Sequence, residues 1–209
     1  MNASEVKAIL NLLGFRTNTT TRYRQAVRDF QSAWALGEAL KIDGVPGPKT
    51  SYALDKSRDN HKAGRGDLST HFSFNEFDCK CGGKYSACRR IGAEGKAGSG
   101  KRPLRTLVLG LEEMRDKNYS GGMTIVSGFR CTGHNNAVGG ATSSQHRYCA
   151  AADIAEVVRP ATAKAYARFS GLGVDGSSGK IRHVDVRHAS GYNPTKSSVS
   201  NPAQWTYAA

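Results

Sequence analysis

The stretch TSSQHRYCAAADI, residues 142–154, places His146 and Asp153 seven positions apart, with Arg147 the only other charge between them. An imidazole and a carboxylate are zinc donors, and each bond to the ion is only about 2 Å long. On one helix the pair would lie about 10 Å apart along the axis, too far to share an ion. A loop that turns into a strand removes this obstacle. SSQHRY has loop character, and AAADIAEVV can enter a strand with Asp153 facing inward and small alanines letting neighbouring backbone come close. The third donor expected is His183 in IRHVDVR, residues 181–187, whose alternation reads as a strand. On such a strand His183 and Asp185 project together, roughly 7 Å apart, while Val184 and Val186 face the core. Two histidines and one aspartate would hold zinc and leave a fourth position for water, the open arrangement of a catalytic site. His61, His71 and His188 are read as hydrogen-bonding residues, His188 with the alternative of supporting a ligand, and spacing does not decide His134.

Several elements must position these groups. Leu104, Leu107, Val108, Leu111 and Met114 repeat at helical spacing and predict a core helix, and MTIVSGF, 123–129, predicts a strand. Ala161, Ala165, Tyr166, Phe169 and Leu172 predict a further helix after Pro160. Residues 82–103 are rich in Gly and Lys/Arg and read as a flexible insertion. Its GKAGSGK run, from Gly95, fits a phosphate-binding loop only in part: Arg102 stands where Ser or Thr should follow, and no strand precedes it. Ahead of all this, residues 4–13 predict an amphipathic helix capped by Ser4 and stopped at Gly14. Tyr23, Val27, Phe30 and Trp34 line a second helix, DGVPGPKT at 43–50 is a turn, and a short third helix starts near Lys49. Residues 58–69, polar and basic with a chance RGD at 65–67, read as a linker. The fold class expected is therefore α+β: a three-helix module over 1–57, then a domain over 70–209 with a mainly antiparallel sheet and flanking helices.

The chain of 209 residues carries a net charge of +13, most of it after residue 57, and so favours polyanionic partners. Nucleic acid is disfavoured, because no basic helix carries base-reading residues and aromatics do not alternate with the basic ones. No apolar run of about 18 residues predicts a membrane span. The N-terminus lacks the basic n-region and the small-residue cleavage site of a secretory signal. Five cysteines, Cys79, Cys81, Cys88, Cys131 and Cys149, leave at least one outside any intrachain disulfide. Cys79, Cys81 and Cys88 could form part of a structural zinc site without an evident fourth ligand; disulfides, with Cys131 joined to the 79/81 pair, are the competing account.

Two resemblances sharpen the reading. AVRDFQSAWAL followed by KIDGVPGPKTSYAL resembles the peptidoglycan-binding domain of wall hydrolases, with a Phe-Gln pair on a helix and then Asp-Gly-x-x-Gly-Pro-x-Thr. VSGFRCTGHNNAVGGATSSQHRYCAAADI with IRHVDVR resembles the zinc D-Ala-D-Ala carboxypeptidase-like peptidases, over about residues 70–190, and FSFNEFDCKC looks like the opening of phage-type members. The resemblance implies His146, Asp153 and His183 as zinc ligands, with Ser144 beside the substrate. It implies Arg130 as the group that stabilises an oxyanion or holds a substrate carboxylate. Cys149 departs from the family's usual Gly, which would strain the backbone if that position needs a positive φ. The family's acidic residue or second histidine, two or three positions before the last ligand, is missing, since Ile181 and Lys180 stand there. Asp185 is taken as the general base, with Asp175 the alternative.

Together these imply an endolysin: a monomeric zinc peptidase cutting an amide of the stem peptide or cross-bridge of peptidoglycan. It would also touch anionic wall polymers and would be made in a host cytoplasm and released through a holin. The rival is a non-catalytic wall-binding or structural phage protein with a decayed peptidase domain.

Overall fold

A computed structural model describes residues 1–85, 88, 102–118, 121–158, 168–190 and 198–207. It divides into two compact units, Met1–Asn75 and Glu76–Ala209. Among the described residues, no helix is long and apolar enough to cross a membrane.

The first unit contains three helices, α1 (Ala3–Leu12), α2 (Thr20–Ala33) and α3 (Pro48–Lys62). α1 is capped by Asn2 rather than Ser4: the Asn2 side chain accepts from the amides of Ser4 and Glu5, and Glu5 accepts from the Asn2 amide. Val6, Leu10, Val27, Phe30 and Leu54 are fully buried, and the Phe15, Phe30 and Phe74 rings pack on one another at 5.2–6.3 Å. The spacing of Phe-Gln and Asp-Gly-x-x-Gly-Pro-x-Thr has a mechanical origin in Gln31. Its Oε1 accepts from the amides of Asp43 and Gly44 at 3.1 and 2.9 Å. Its Nε2 shares its two hydrogens among Asp43 Oδ1, Val45 O and Thr50 Oγ1, all at 3.0–3.1 Å. One buried amide thus fixes the whole turn between α2 and α3, and Gly44, at φ +76°, supplies the backbone conformation the turn requires.

The reading of 58–69 as a linker does not hold. α3 continues to Lys62, and Asp67, Leu68 and Ser69 are buried. Ser57 Oγ donates to Asp67 O at 2.6 Å, His61 Nδ1 meets Asp67 Oδ2 at 2.7 Å, and the Phe74 amide donates to Asp67 Oδ1 at 2.8 Å. Polar residues that suggested a solvated link are satisfied inside the unit instead.

Among its described residues the second unit holds α4 (Arg105–Asn118), the short α5 (Thr132–Ala137) and five strands: β1 (Ile125–Ser127), β2 (Ala151–Val158), β3 (Gly171–Asp175), β4 (Ile181–Asp185) and β5 (Ala203–Tyr207). The sheet order is β1-β2-β4-β3-β5, antiparallel throughout except for the parallel β3/β5 pair. Leu107, Val108, Leu111 and Met114 of α4 are fully buried, as the stripe predicts. The helix expected from Pro160 to Leu172 falls mostly outside the described residues, but Leu172 itself lies on β3. Most of the insertion at 82–103 also lies outside them.

Register places the site. Ser127, Asp153, His183, Gly173 and Trp205 stand opposite one another in a row across all five strands. The adjacent row reads Ala151, Asp185, Gly171, Ala203. Side chains directly opposite share a face, so the small residues beside Asp185 and His183 are what leave room for them. A Cβ on Gly171 would overlap the Asp185 carboxylate, and one on Gly173 would stand 2.8 Å from His183 Cβ.

Candidate metal centre

Four pieces of chain converge at the sheet. β2 presents Asp153 and β4 presents His183; a 3-10 turn, Gln145–Tyr148, carries His146; the loop after β1 carries Gly128 and Arg130. His146 Nε2 lies 3.1 Å from His183 Nδ1 and 3.1 Å from Asp153 Oδ1, and His183 Nδ1 lies 2.8 Å from the same oxygen. Tetrahedral zinc with bonds of about 2.0–2.1 Å spaces its ligands by about 3.3 Å, so the three donors already stand at the required separation.

The far side of each imidazole fixes its tautomer. His146 Nδ1 is 2.6 Å from Gly128 O, a carbonyl that can only accept, so Nδ1 carries the proton and Nε2 keeps its lone pair. His183 Nε2 is 3.3 Å from Asp185 Oδ2 and donates to it, leaving Nδ1 free. Three lone-pair atoms therefore converge with nothing between them, an arrangement that calls for a cation. Nitrogen and carboxylate donors in a three-ligand set fit zinc.

The electrostatics of the metal-free chain say the same. Burial holds the His146 imidazole below its ordinary value, so it is neutral. Burial would also lower His183, but hydrogen bonds to Asp153 and Asp185 and their charges outweigh it and carry the ring up to about 8. For Asp153, burial opposes ionisation, yet hydrogen bonds from the two imidazoles hold the carboxylate well below the usual range. The ring raised to about 8 is the cluster taking up a proton in place of the missing positive charge.

Arg130 donates from Nε to Ser127 Oγ at 2.9 Å and pairs through Nη2 with Asp153 Oδ2, the oxygen turned away from the imidazoles. It also lines a cavity of about 870 Å3 that opens onto the three donors, with Ser144, Arg182, Arg187, Trp205 and Tyr207 around it. Trp205 and Tyr207 escaped the sequence reading. Their alternation with Gln204 and Thr206 on β5 was the available signal. Trp205 packs edge-on against His183 at 5.1 Å and under the Arg187 guanidinium at 5.0 Å.

The assignment of Asp185 as general base requires correction. The register brings it beside His183, as the shared strand face predicts, but its carboxylate faces the ring nitrogen turned away from the donors and has no solvent-exposed surface. Arg187 grips it from Nε at 2.9 Å and Nη2 at 2.6 Å. Burial would raise this carboxyl, and the hydrogen bonds from Arg187 and His183 hold it well below its ordinary range. A carboxylate so placed orients the imidazole and raises its basicity. The alternative, Asp175, caps the β3–β4 turn through Ser177 and Ser178 and pairs with Arg182, away from the donors. Cys149 does adopt the left-handed conformation, φ 55° and ψ 25°, closing the 3-10 turn that carries His146, at a cost of about 1–2 kcal/mol for a residue with a Cβ. His188 meets Ser170 Oγ at 2.7 Å, an ordinary hydrogen bond.

Comparison with known proteins agrees with this centre. The zinc D-Ala-D-Ala carboxypeptidase of Streptomyces albus G is 28% identical over 131 residues, covering 63% of this chain and 46% of that protein. The chain thus spans less than half the length of the curated relative it matches. Residues 57–189, well over half of the sequence and all three donors with it, match Peptidase M15, and the chain belongs to that family.

Proposed function

We propose that this chain is a peptidoglycan hydrolase that cleaves an amide bond of the stem peptide or cross-bridge, with zinc held by His146, Asp153 and His183. The observation that carries the reading is the convergence of three metal-donor atoms at ligand spacing on the floor of a cavity rimmed by arginines. Bound there, zinc would polarise a carbonyl and lower the pKa of water. The chain's own residues do the rest. Gly128 O and Asp185 keep the two imidazoles in the liganding tautomer. Arg130 steadies Asp153 and lines the cavity, where its guanidinium can receive a substrate carboxylate or the charge that grows on the carbonyl oxygen. Ser144 and Tyr207 line the walls and can hydrogen-bond a peptide backbone. The amide cut belongs to a D-Ala-D-Ala, D-Ala-diaminopimelate or L-Ala-D-Glu junction.

In the same reading the first unit binds the wall, and the basic charge of the chain favours anionic wall polymers. The protein acts as an endolysin, made in a host cytoplasm and released through a holin. One observation favours the rival, a wall-binding protein without turnover: Asp153 and Asp185, the carboxylates among the described cavity residues, are both engaged. Incubation of zinc-loaded protein and of a His146→Ala variant with purified sacculi separates the two. New amine and carboxyl ends with the parent protein only, read by mass spectrometry, support the peptidase and name its bond. Intact sacculi across several wall chemotypes, with protein bound to them, would leave the non-catalytic reading standing.

A further inference from the structure

A second group of metal donors lies in the same unit. One sulfur from each of Cys79, Cys81, Cys88 and Cys131 sits within 4.8 Å of the others, and Cys81 Sγ and Cys131 Sγ are 4.0 Å apart. None of the five cysteines is joined in a disulfide, which would need its sulfurs about 2.05 Å apart. Zinc bound by four thiolates at about 2.3 Å spaces them by about 3.8 Å. The sulfurs also sit among donors. The Cys131 amide points at Cys79 Sγ at 3.5 Å, the His134 amide at Cys131 Sγ at 3.4 Å, and His134 Nδ1 lies 3.2 Å from Cys79 Sγ. The amides of Gly83 and Tyr85 reach Cys81. Gly82 and Gly83, at φ 60° and 77°, form the tight turn after Cys81 that lets those amides turn back onto it. N–H groups aimed at sulfur are what a thiolate needs and what a neutral thiol in an apolar core does not.

We propose that Cys79, Cys81, Cys88 and Cys131 hold a structural zinc ion, a centre separate from the one formed by His146, Asp153 and His183. With all four positions filled by protein, it would have no site for water or substrate, which marks it as structural rather than catalytic. The odd cysteine is then Cys149, which packs with Cys88, Phe129 and Cys131 but lies outside the ligand group. The ion ties three stretches that share no strand: the CKC segment after the Phe74–Phe77 turn, the start of the insertion at Cys88, and the residue next to Arg130. It contributes folding free energy where regular hydrogen bonding is sparse. Binding displaces the thiol protons to solvent.

Metal content of the full chain, purified reduced under nitrogen, tests this without reference to wall cleavage. The parent should carry two zinc ions per chain, and His146→Ala and Cys88→Ser one each. Because Cys88→Ser could fail to fold, the His146→Ala protein is also reconstituted with cobalt. It should show thiolate-to-cobalt charge-transfer absorption in the near ultraviolet, and Cys79, Cys81, Cys88 and Cys131 should resist alkylation until a chelator is added. A parent with one ion and a His146→Ala variant with none would overturn the proposal, whatever the protein does to sacculi. So would disulfides among these four residues in the protein as isolated, or their free alkylation in the metal-loaded state.

Discussion

Replacing Asp185 by Asn separates two roles that one carboxylate could play. The structure has it accept from His183 Nε2 and from three nitrogens of Arg187, its amide and two of its guanidinium, with no exposed surface. Asn keeps the shape but removes the charge that holds the His183 proton on Nε2, so the ring loses basicity at Nδ1. Partners in this position typically govern metal affinity by 10–100-fold, or about 1.4–2.7 kcal/mol. The variant also leaves Arg187, whose side chain is 13% exposed, without its counter-charge, and a loss of about 3 kcal/mol in stability is expected. The assay is competition with a chromophoric chelator, taking the His146-dependent ion as the readout, at a temperature where circular dichroism shows both proteins folded. Zinc affinity within twofold of the parent, with hydrolysis abolished, would refute the orienting role and restore Asp185 as the base. A parallel fall in affinity, with turnover recovering at saturating zinc, is the result the geometry demands.

Four further outcomes are expected. Gly171→Ala puts a methyl group into the Asp185 carboxylate and should cost about 1–3 kcal/mol with loss of the His146-dependent zinc, read by thermal melting and metal analysis; full retention of both would contradict the packing. Because His183 rises to about 8 without metal, a proton competes with zinc below that pH, so apparent affinity should fall about tenfold per unit from pH 8 downward and level off above it. In chelated protein the sign reverses: a raised pKa stabilises fully below the unfolded value of about 6.5 and is lost as pH climbs through 8, so melts with and without zinc should diverge with rising pH. Gln31→Ala strips the α2–α3 turn of its amide partner and should lower stability by about 3 kcal/mol, seen in urea unfolding; a change under 1 kcal/mol would mean the turn stands without it.

The three donors were legible because chemistry and periodicity agreed: a helix could not bring His146 and Asp153 together, and a loop running into a strand could. What a strand face cannot tell is which ring nitrogen a neighbour meets, and that is where Asp185 was misread. Sequence alone joins Cys131 to the 79/81 pair only as a disulfide partner, since it lies 50 residues beyond Cys81 and only the fold shows it gathered with three sulfurs rather than bonded to one. β3 escaped because GLGVD lacks the bulky alternation of a strand; its glycines are there to spare Asp185 and His183 a collision. The 58–69 segment was misread because composition reports polarity, not whether Ser57 and Asp67 find partners.

The five residues from Ser127 to Cys131 are each fastened to something different. Ser127 accepts from Arg130, Gly128 O accepts the hydrogen bond from His146 Nδ1, the Phe129 amide donates to Phe77 O, the Arg130 guanidinium grips Asp153, and Cys131 joins the sulfurs. A segment so constrained cannot adjust to one centre without the other registering it. The ordering cost met when the sulfur cluster fills is therefore already settled when the histidine site fills, and the reverse holds to the same extent. The two centres should bind cooperatively, with a coupling free energy carried by five residues of backbone and no contact between the ions.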